Sequence, residues 1–348
     1  MPTSSFDWNA YKKRFVYKAQ QQNLTSDDIG LCLAYGQKLY EQQLPIIYSA
    51  SHFCTLVGYA PQYVMGVANN STEFYRNFHI AKRNGSRRSI SEPLPSLKEI
   101  QYWILENILE QLPISPYAKA YRKGYGLRHN ARFHRKQDVL VRIDIKNFFP
   151  SLQIGLVFNL FRSLGYSESV AALLSQLCCK DNALPQGAPT SPYLSNVLCK
   201  DIDTSLATYA KEKEYRYTRY ADDLFFSGAV FPSSLLGFVK LVLAKYQLKI
   251  NYSKVKVYRK ENQQRVTGVV VNNKMQVPRT YRKKLRQEVY YIKKNGLYGH
   301  MLHKGITQSN YLEHLIGKAN HILNVNPKDK EALTTLAFLK EIRHRYVN

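Results

Sequence analysis

The stretch YTRYADDLFFSG, Tyr217 to Gly228, most constrains what this chain can fold into. Its aromatic and β-branched residues favour extended backbone, and Arg216 to Ser227 reads as a β-hairpin. Two adjacent aspartates, Asp222 and Asp223, interrupt the run between Tyr220 and the apolar pair Phe225 and Phe226. Neighbouring carboxylates repel each other, so folds ordinarily leave them in water. Inside an apolar strand pair they call for a cation. A plain polar turn would also hold two aspartates, so the rest of the chain has to decide.

From Val139 onward the pattern runs strand, helices, hairpin, helix, strand. VLVRIDI (Val139 to Ile145) is a β-branched run ending at an acid, and Pro192 opens a helix to about Ala210. Leu235 to Tyr246 is helical, LKINYSKVKVY alternates as one strand, and RVTGVVVN reads as another. This is the order of a split β-α-β ferredoxin-like unit, an antiparallel sheet backed by helices. If Val139–Ile145 lies beside Arg216–Phe226, Asp144 comes to the hairpin tip and three carboxylates converge.

Upstream, residues 1–75 read as short helices, with Ser26-Asp27-Asp28 as an N-cap before IGLCLAYGQKLY. FHIAKRNGSRRSI is two extended arms around a glycine turn at Gly85, carrying Lys82, Arg83, Arg87 and Arg88. SLKEIQYWILENILEQL has apolar residues at 97, 100, 104, 105 and 108, a helical stripe capped by Ser96. Downstream, Thr280 starts a basic amphipathic helix. Leu285, Val289 and Ile292 face one side of it, and Arg282, Arg286 and Lys293 another. The organisation expected is therefore 1–75, 76–138, 139–280 and 281–348.

The chain of 348 residues has 50 Lys+Arg against 25 Asp+Glu, a net charge of +25. So large an excess excludes a handler of neutral metabolites and fits a polyanion, nucleic acid foremost. The 27 tyrosines can stack bases while basic groups neutralise phosphates. Five cysteines form no metal-binding spacing and read as reduced thiols of a cytoplasmic protein without a zinc site. The N-terminus lacks an apolar signal region, and the longest charge-free run, Leu44 to Thr72, is too polar for lipid.

Three carboxylates suit nucleotidyl transfer, in which a sugar hydroxyl attacks an already anionic phosphate. Two Mg²⁺ ions about 3.5–4 Å apart lower the hydroxyl pKa and stabilise the leaving pyrophosphate. Mg²⁺ takes oxygen ligands and keeps waters, so a few carboxylates and the substrate phosphates suffice. Asp144, Asp222 and Asp223 meet that need.

The ordered segments DIKNFFPSL, LPQGAPTSPYLSN, YADD and NYSKVKV, from Asp144, Leu184, Tyr220 and Asn251, resemble the motif series of reverse transcriptases. The resemblance implies an α+β right-hand polymerase: an N-terminal extension (1–75), fingers (76–138), a ferredoxin-like palm (139–280) and a helical thumb (281–348). It assigns two Mg²⁺ to Asp144, Asp222 and Asp223. It makes Phe149 the bulky residue under the incoming sugar, which would collide with a ribose 2′-OH. Gln186 and Gly187 belong to the loop approached by nucleotide and template, Lys82 and Arg88 to the fingertips that clamp the triphosphate. Lys254 matches a lysine acting as general acid at the leaving phosphate. Each also has a plainer reading: Phe149 as core, Gly187 as a tight turn, and the cations as solvated surface charges.

GLRHNARFH, with Asn130-Ala131 and His134, and the triplet Val266-Thr267-Gly268 resemble segments of the bacterial retron reverse transcriptases. YAKAYRKG leads into the first, and LIGKANHILNVNP resembles the closing thumb motif. Taken singly, His134 could be a core histidine and VTG an ordinary strand. The family resemblance implies a cognate structured non-coding RNA that is template and primer support, read by these segments. It implies priming from a 2′-OH to give branched msDNA, an RNA–DNA hybrid, in anti-phage defence with an effector protein. No length remains for RNase H or a fused effector, so both are expected in trans. Arg282, Arg286 and Lys293 are expected on the duplex backbone. The rival expectations are another bacterial or group II intron-like reverse transcriptase, and an RNA-binding scaffold with a vestigial site.

Overall fold

Short polar residues start several helices. The side chains of Asp7, Thr25, Ser49 and Ser167 each accept a backbone N–H bond at a helix start, satisfying a donor that helix geometry leaves free. The cap of Ser26–Glu41 is thus Thr25, one residue before the expected Ser26. Helix Pro95–Asn107 has no side-chain cap. Pro95 occupies its first turn, where a missing N–H costs nothing, so Ser96 lies inside the helix.

The computed structural model describes residues 7–81, 85 and 87–347. The chain divides into two units, each discontinuous. One comprises Met1–Ser115, Lys146–Ile202 and Leu243–Lys249; the other Pro116–Ile145, Asp203–Val242 and Ile250–Asn348.

In the first unit, strands β1 (Tyr75–Ala81) and β2 (Arg87–Pro93) form an antiparallel hairpin. Gly85 takes the left-handed φ of 81° at its bend, which only glycine adopts freely. Helix Pro95–Asn107 buries Leu97, Ile100 and Ile104, with Ile108 following, and leaves Leu105 half-buried. Fully burying such side chains stabilises by about 1.5–3 kcal/mol each. Gln101 of this helix is buried and donates to Tyr75 Oη and to the Leu177 carbonyl, which ties the root of the hairpin to helix Glu168–Cys178. The helix expected from Pro192 to Ala210 is two, Thr190–Leu198 and Lys200–Glu212. Cys199, with ψ 8°, breaks them apart.

The second unit holds a four-stranded antiparallel sheet of β3 (Val139–Asp144), β4 (Arg216–Tyr220), β5 (Asp223–Gly228) and β6 (Lys256–Arg259), in the order β4-β5-β3-β6. Order and connectivity are those of the ferredoxin-like unit read from the sequence. The expected strand Leu248–Tyr258 is shorter. Tyr252–Lys254 forms a 3₁₀ turn, and only Lys256–Arg259 joins the ladder. RVTGVVVN is not one strand but a tight hairpin of β7 (Arg265–Val266) and β8 (Val269–Val270). Its turn holds Thr267 and Gly268 at φ 47° and 86°.

Three helices, Arg279–His303, Tyr311–Val325 and Lys330–Val347, complete this unit. Leu285, Val289 and Ile292 pack with Leu315, Ile322 and Leu339, and the cluster continues into Val266, Leu140 and Phe225. Gly296, at φ 72° and ψ 166°, interrupts the first of the three. Among the described residues no helix is long and apolar enough to cross a membrane.

Candidate active site

Register places the carboxylates. Asp144 is the Cα partner of Asp223 across β3 and β5, and directly opposed residues carry their side chains on the same face, roughly 5 Å apart. Asp222 sits in the two-residue turn closed by the Tyr220–Asp223 pair, and its carbonyl accepts the Ile145 N–H at 2.8 Å. Ala221 occupies the other turn position at φ 57°, a left-handed conformation that costs a non-glycine residue about 1 kcal/mol or more.

The cations that the sequence called for are Lys254 and Arg142. Lys254 Nζ lies 3.1 and 3.0 Å from the two oxygens of Asp144, brought there by the 3₁₀ turn. Asn251 donates to Asp144 Oδ1 at 2.9 Å. Arg142 Nε donates to Asp223 Oδ1 at 2.8 Å. Burial nonetheless pushes the Asp223 carboxyl up to about 6, against the pull of Arg142. Burial, then the neighbouring Asp144, raises Asp222 as well.

Carboxylates this close and this poorly solvated form an oxygen donor set suited to a hard divalent cation. Among the described residues no three acidic, His or Cys side chains close into a cage able to hold a metal alone.

Arg142 was missed in the sequence, and so was a buried pair behind β4. Arg219 is fully buried and grips Asp203 through two 2.8 Å hydrogen bonds, while Tyr217 Oη donates to the same carboxylate at 2.7 Å. An arginine inside the apolar run YTRY was the available signal, since a buried guanidinium requires a carboxylate.

Several expected site residues belong to the first unit. Phe148 is buried and Phe149 half-buried, their ring centroids 5.4 Å apart. Gln186 accepts the Ser91 N–H at 2.9 Å. Gly187, at φ 139°, lies so close to β2 that a Cβ would come 2.5 Å from the Ser91 carbonyl oxygen. Its lack of a side chain is therefore required by the basic hairpin itself. Arg88 is exposed on β2 opposite Ile80. Lys82 lies outside the described residues.

The expected RNA contacts need correction. Asn130 and His134 are both 0% exposed, and a buried side chain cannot touch RNA. Val266 is also buried, and Thr267 Oγ1 is buried without a hydrogen-bond partner; only Gly268 of that triplet is exposed. Arg282 and Arg286 both bond Glu331, at 2.7 and 2.9 Å, and Arg282 also reaches Asp329. Arg286 and then Arg282 hold Glu331 down to about 2. Lys293 stands over the Phe338 ring at 4.9 Å. All three contact the final helix or its start, while Arg286 and Lys293 remain exposed.

The antiparallel sheet and its hairpin turn bring Asp144, Asp222 and Asp223 to one end of the sheet. The reverse transcriptase (RNA-dependent DNA polymerase) family model matches residues 80–271. The chain is 32% identical to the retron Ec86 reverse transcriptase of Escherichia coli over 78% of this chain and 82% of that one. It is 35% identical to the retron Mx162 reverse transcriptase of Myxococcus xanthus over 77% of this chain and 61% of that one. A telomerase from Candida albicans, solved with a fragment of telomeric RNA, superposes with a TM-score of 0.43 at 12% identity, covering 81% and 66% of the two chains; that likeness carries no weight. The chain belongs to the retron reverse transcriptases and is an RNA-directed DNA polymerase.

Proposed function

We propose that this enzyme copies a cognate structured non-coding RNA into DNA, primed from a 2′-OH to give branched msDNA, within an anti-phage defence system. The observation that supports the chemistry is the opposition of Asp144 and Asp223 with Asp222 in the adjoining turn. Asp144, Asp222 and Asp223 would hold two Mg²⁺, which when bound supply activation of the priming hydroxyl and neutralisation of the pyrophosphate. Lys254 holds Asp144 until the substrate arrives and is the candidate to protonate the leaving group. Arg88 and Lys82 are assigned to the triphosphate, Gln186 and Gly187 to the template loop, and Phe149 to the exclusion of ribonucleotides. The partners are dNTPs, the RNA and its RNA–DNA hybrid product, with RNase H and an effector protein supplied in trans in the cytoplasm.

Purification from the native locus, followed by sequencing of the bound nucleic acid, tests this reading. A single structured RNA species joined to DNA through a 2′ branch is the expected result. Unbranched DNA on heterogeneous RNA would favour a general or group II intron-like reverse transcriptase, and RNA without DNA a vestigial scaffold.

A further inference from the structure

Asn130 and His134 direct their hydrogen bonds to the two strands of the hairpin whose turn holds Asp222 and whose second strand begins at Asp223. His134 Nδ1 lies 2.8 Å from Ser227 Oγ on β5, and its Nε2 lies 2.7 Å from Thr218 Oγ1 on β4. Thr218 Oγ1 in turn donates to Asn130 Oδ1 at 2.6 Å. Thr218 has one hydroxyl proton and Asn130 takes it, so His134 Nε2 carries the hydrogen and Nδ1 accepts from Ser227. One neutral tautomer satisfies the whole relay, Ser227 to His134 to Thr218 to Asn130.

The relay crosses the hairpin. Thr218 is paired with Phe225, two residues from Ser227. Strand alternation puts Asp223, Phe225 and Ser227 on one face, so the imidazole clamps the same face that presents Asp223, four residues away. Slippage by one residue would turn that face over and carry Asp223 away from Asp144. The left-handed Ala221 adds strain at the turn, and the Arg219–Asp203 pair holds β4 through the alternate residues.

We propose that Asn130, His134, Thr218 and Ser227 are positioning residues of the polymerase reaction: they lock the β4–β5 register and so the spacing of Asp222 and Asp223 from Asp144. This rests on the assignment of those aspartates to the metal. It gives the segment that distinguishes this family a mechanical role in place of RNA recognition.

Thr218→Val keeps the side-chain shape but strands His134 Nε2–H and Asn130 Oδ1 without partners; Thr218→Ser keeps the hydroxyl. Ser227→Ala opens the other end of the relay, should the valine variant fail to fold. Manganese(II) binding to the RNA-free protein is read by electron paramagnetic resonance, beside RNA affinity and melting temperature. Thr218→Val and Ser227→Ala should weaken Mn²⁺ binding about 10-fold or more, the usual effect of losing support behind a metal ligand. Thr218→Ser should stay near the parent, and RNA affinity should hold in all three. A folded Thr218→Val protein with parental Mn²⁺ affinity, or RNA affinity lost in step with Mn²⁺ affinity, overturns the proposal. Asp222→Asn separates the two levels: if it keeps parental Mn²⁺ affinity, the metal assignment itself fails.

Discussion

Arg142 and Asp223 stand diagonally across β3 and β5, with Arg142 Nε 2.8 Å from Asp223 Oδ1, on the face where Asp144 lies directly opposite Asp223. The guanidinium neutralises a carboxylate that a bound metal would also neutralise. Arg142→Gln should therefore destabilise the metal-free protein, by about 1–2 kcal/mol after allowing for the partial exposure of Arg142. Magnesium should restore part of that, because an ion that binds only the folded state stabilises it. Melting curves with and without Mg²⁺ check this. The Mg²⁺-induced rise should be larger in the variant, and an equal rise in both proteins would count against a metal at Asp223.

His134 sets a pH dependence of stability. Burial holds its ring down to about 3, whereas an unfolded histidine titrates near 6.5. The unfolded state therefore binds the extra proton between those values, and stability is lost as pH falls from about 6.5 toward 3. The slope from this one group approaches 1.4 kcal/mol per pH unit. Denaturant titrations across that range should show a slope in the parent that shrinks by one proton in His134→Gln. An unchanged slope would mean that the ring is charged in the folded state.

Phe149→Val or Phe149→Ala should raise the ratio of ribonucleotide to deoxyribonucleotide incorporation by about 10-fold or more, since relief of one steric clash is worth about 1–3 kcal/mol. Parallel single-nucleotide extensions measure the ratio, and constancy would remove Phe149 as the sugar gate.

The long helix Arg279–His303 separates two kinds of basic residue. Arg282→Gln with Arg286→Gln breaks bonds to Glu331 and should lower the melting temperature while leaving the salt dependence of RNA binding nearly intact. Lys283, Lys284 and Lys294 are exposed on the same helix. Changing those three to Gln should weaken binding of cognate and unrelated RNA alike. It should also flatten the log–log salt slope by roughly one unit for each phosphate no longer neutralised. Salt titrations of both variants decide which set meets phosphate.

The sheet and its aspartates were legible because strand alternation and the order of segments are local signals. Asp144, Asp222 and Asp223 could be brought together from the pairing of two strands. What escaped were properties that only tertiary structure decides. Arg282 and Arg286 look like unpaired cations in the sequence, and only the fold shows that Glu331, far along the chain, pairs with both. Asn130 and His134 are polar enough to suggest a surface, yet both lie in the interior, where Thr218 and Ser227 bond the His134 ring and Thr218 donates to Asn130 Oδ1. RVTGVVVN carries the composition of a strand, and the left-handed Thr267 and Gly268 fold it into a turn.

On the proposed account Asp144, Asp222 and Asp223 hold the catalytic metal ions, and RNA binding does not depend on the charge of Asp222 and Asp223. The most direct test is the paired substitution Asp222→Asn and Asp223→Asn, which removes charge with little change in side-chain volume. Primer extension on an RNA template and equilibrium RNA binding are measured on the same preparation. DNA synthesis should fall by more than about 10³-fold, the upper range for removing one electrostatic stabiliser from a transition state, with RNA affinity and melting temperature held at parental values or above. Extension near the parental rate by the folded double variant would contradict the account.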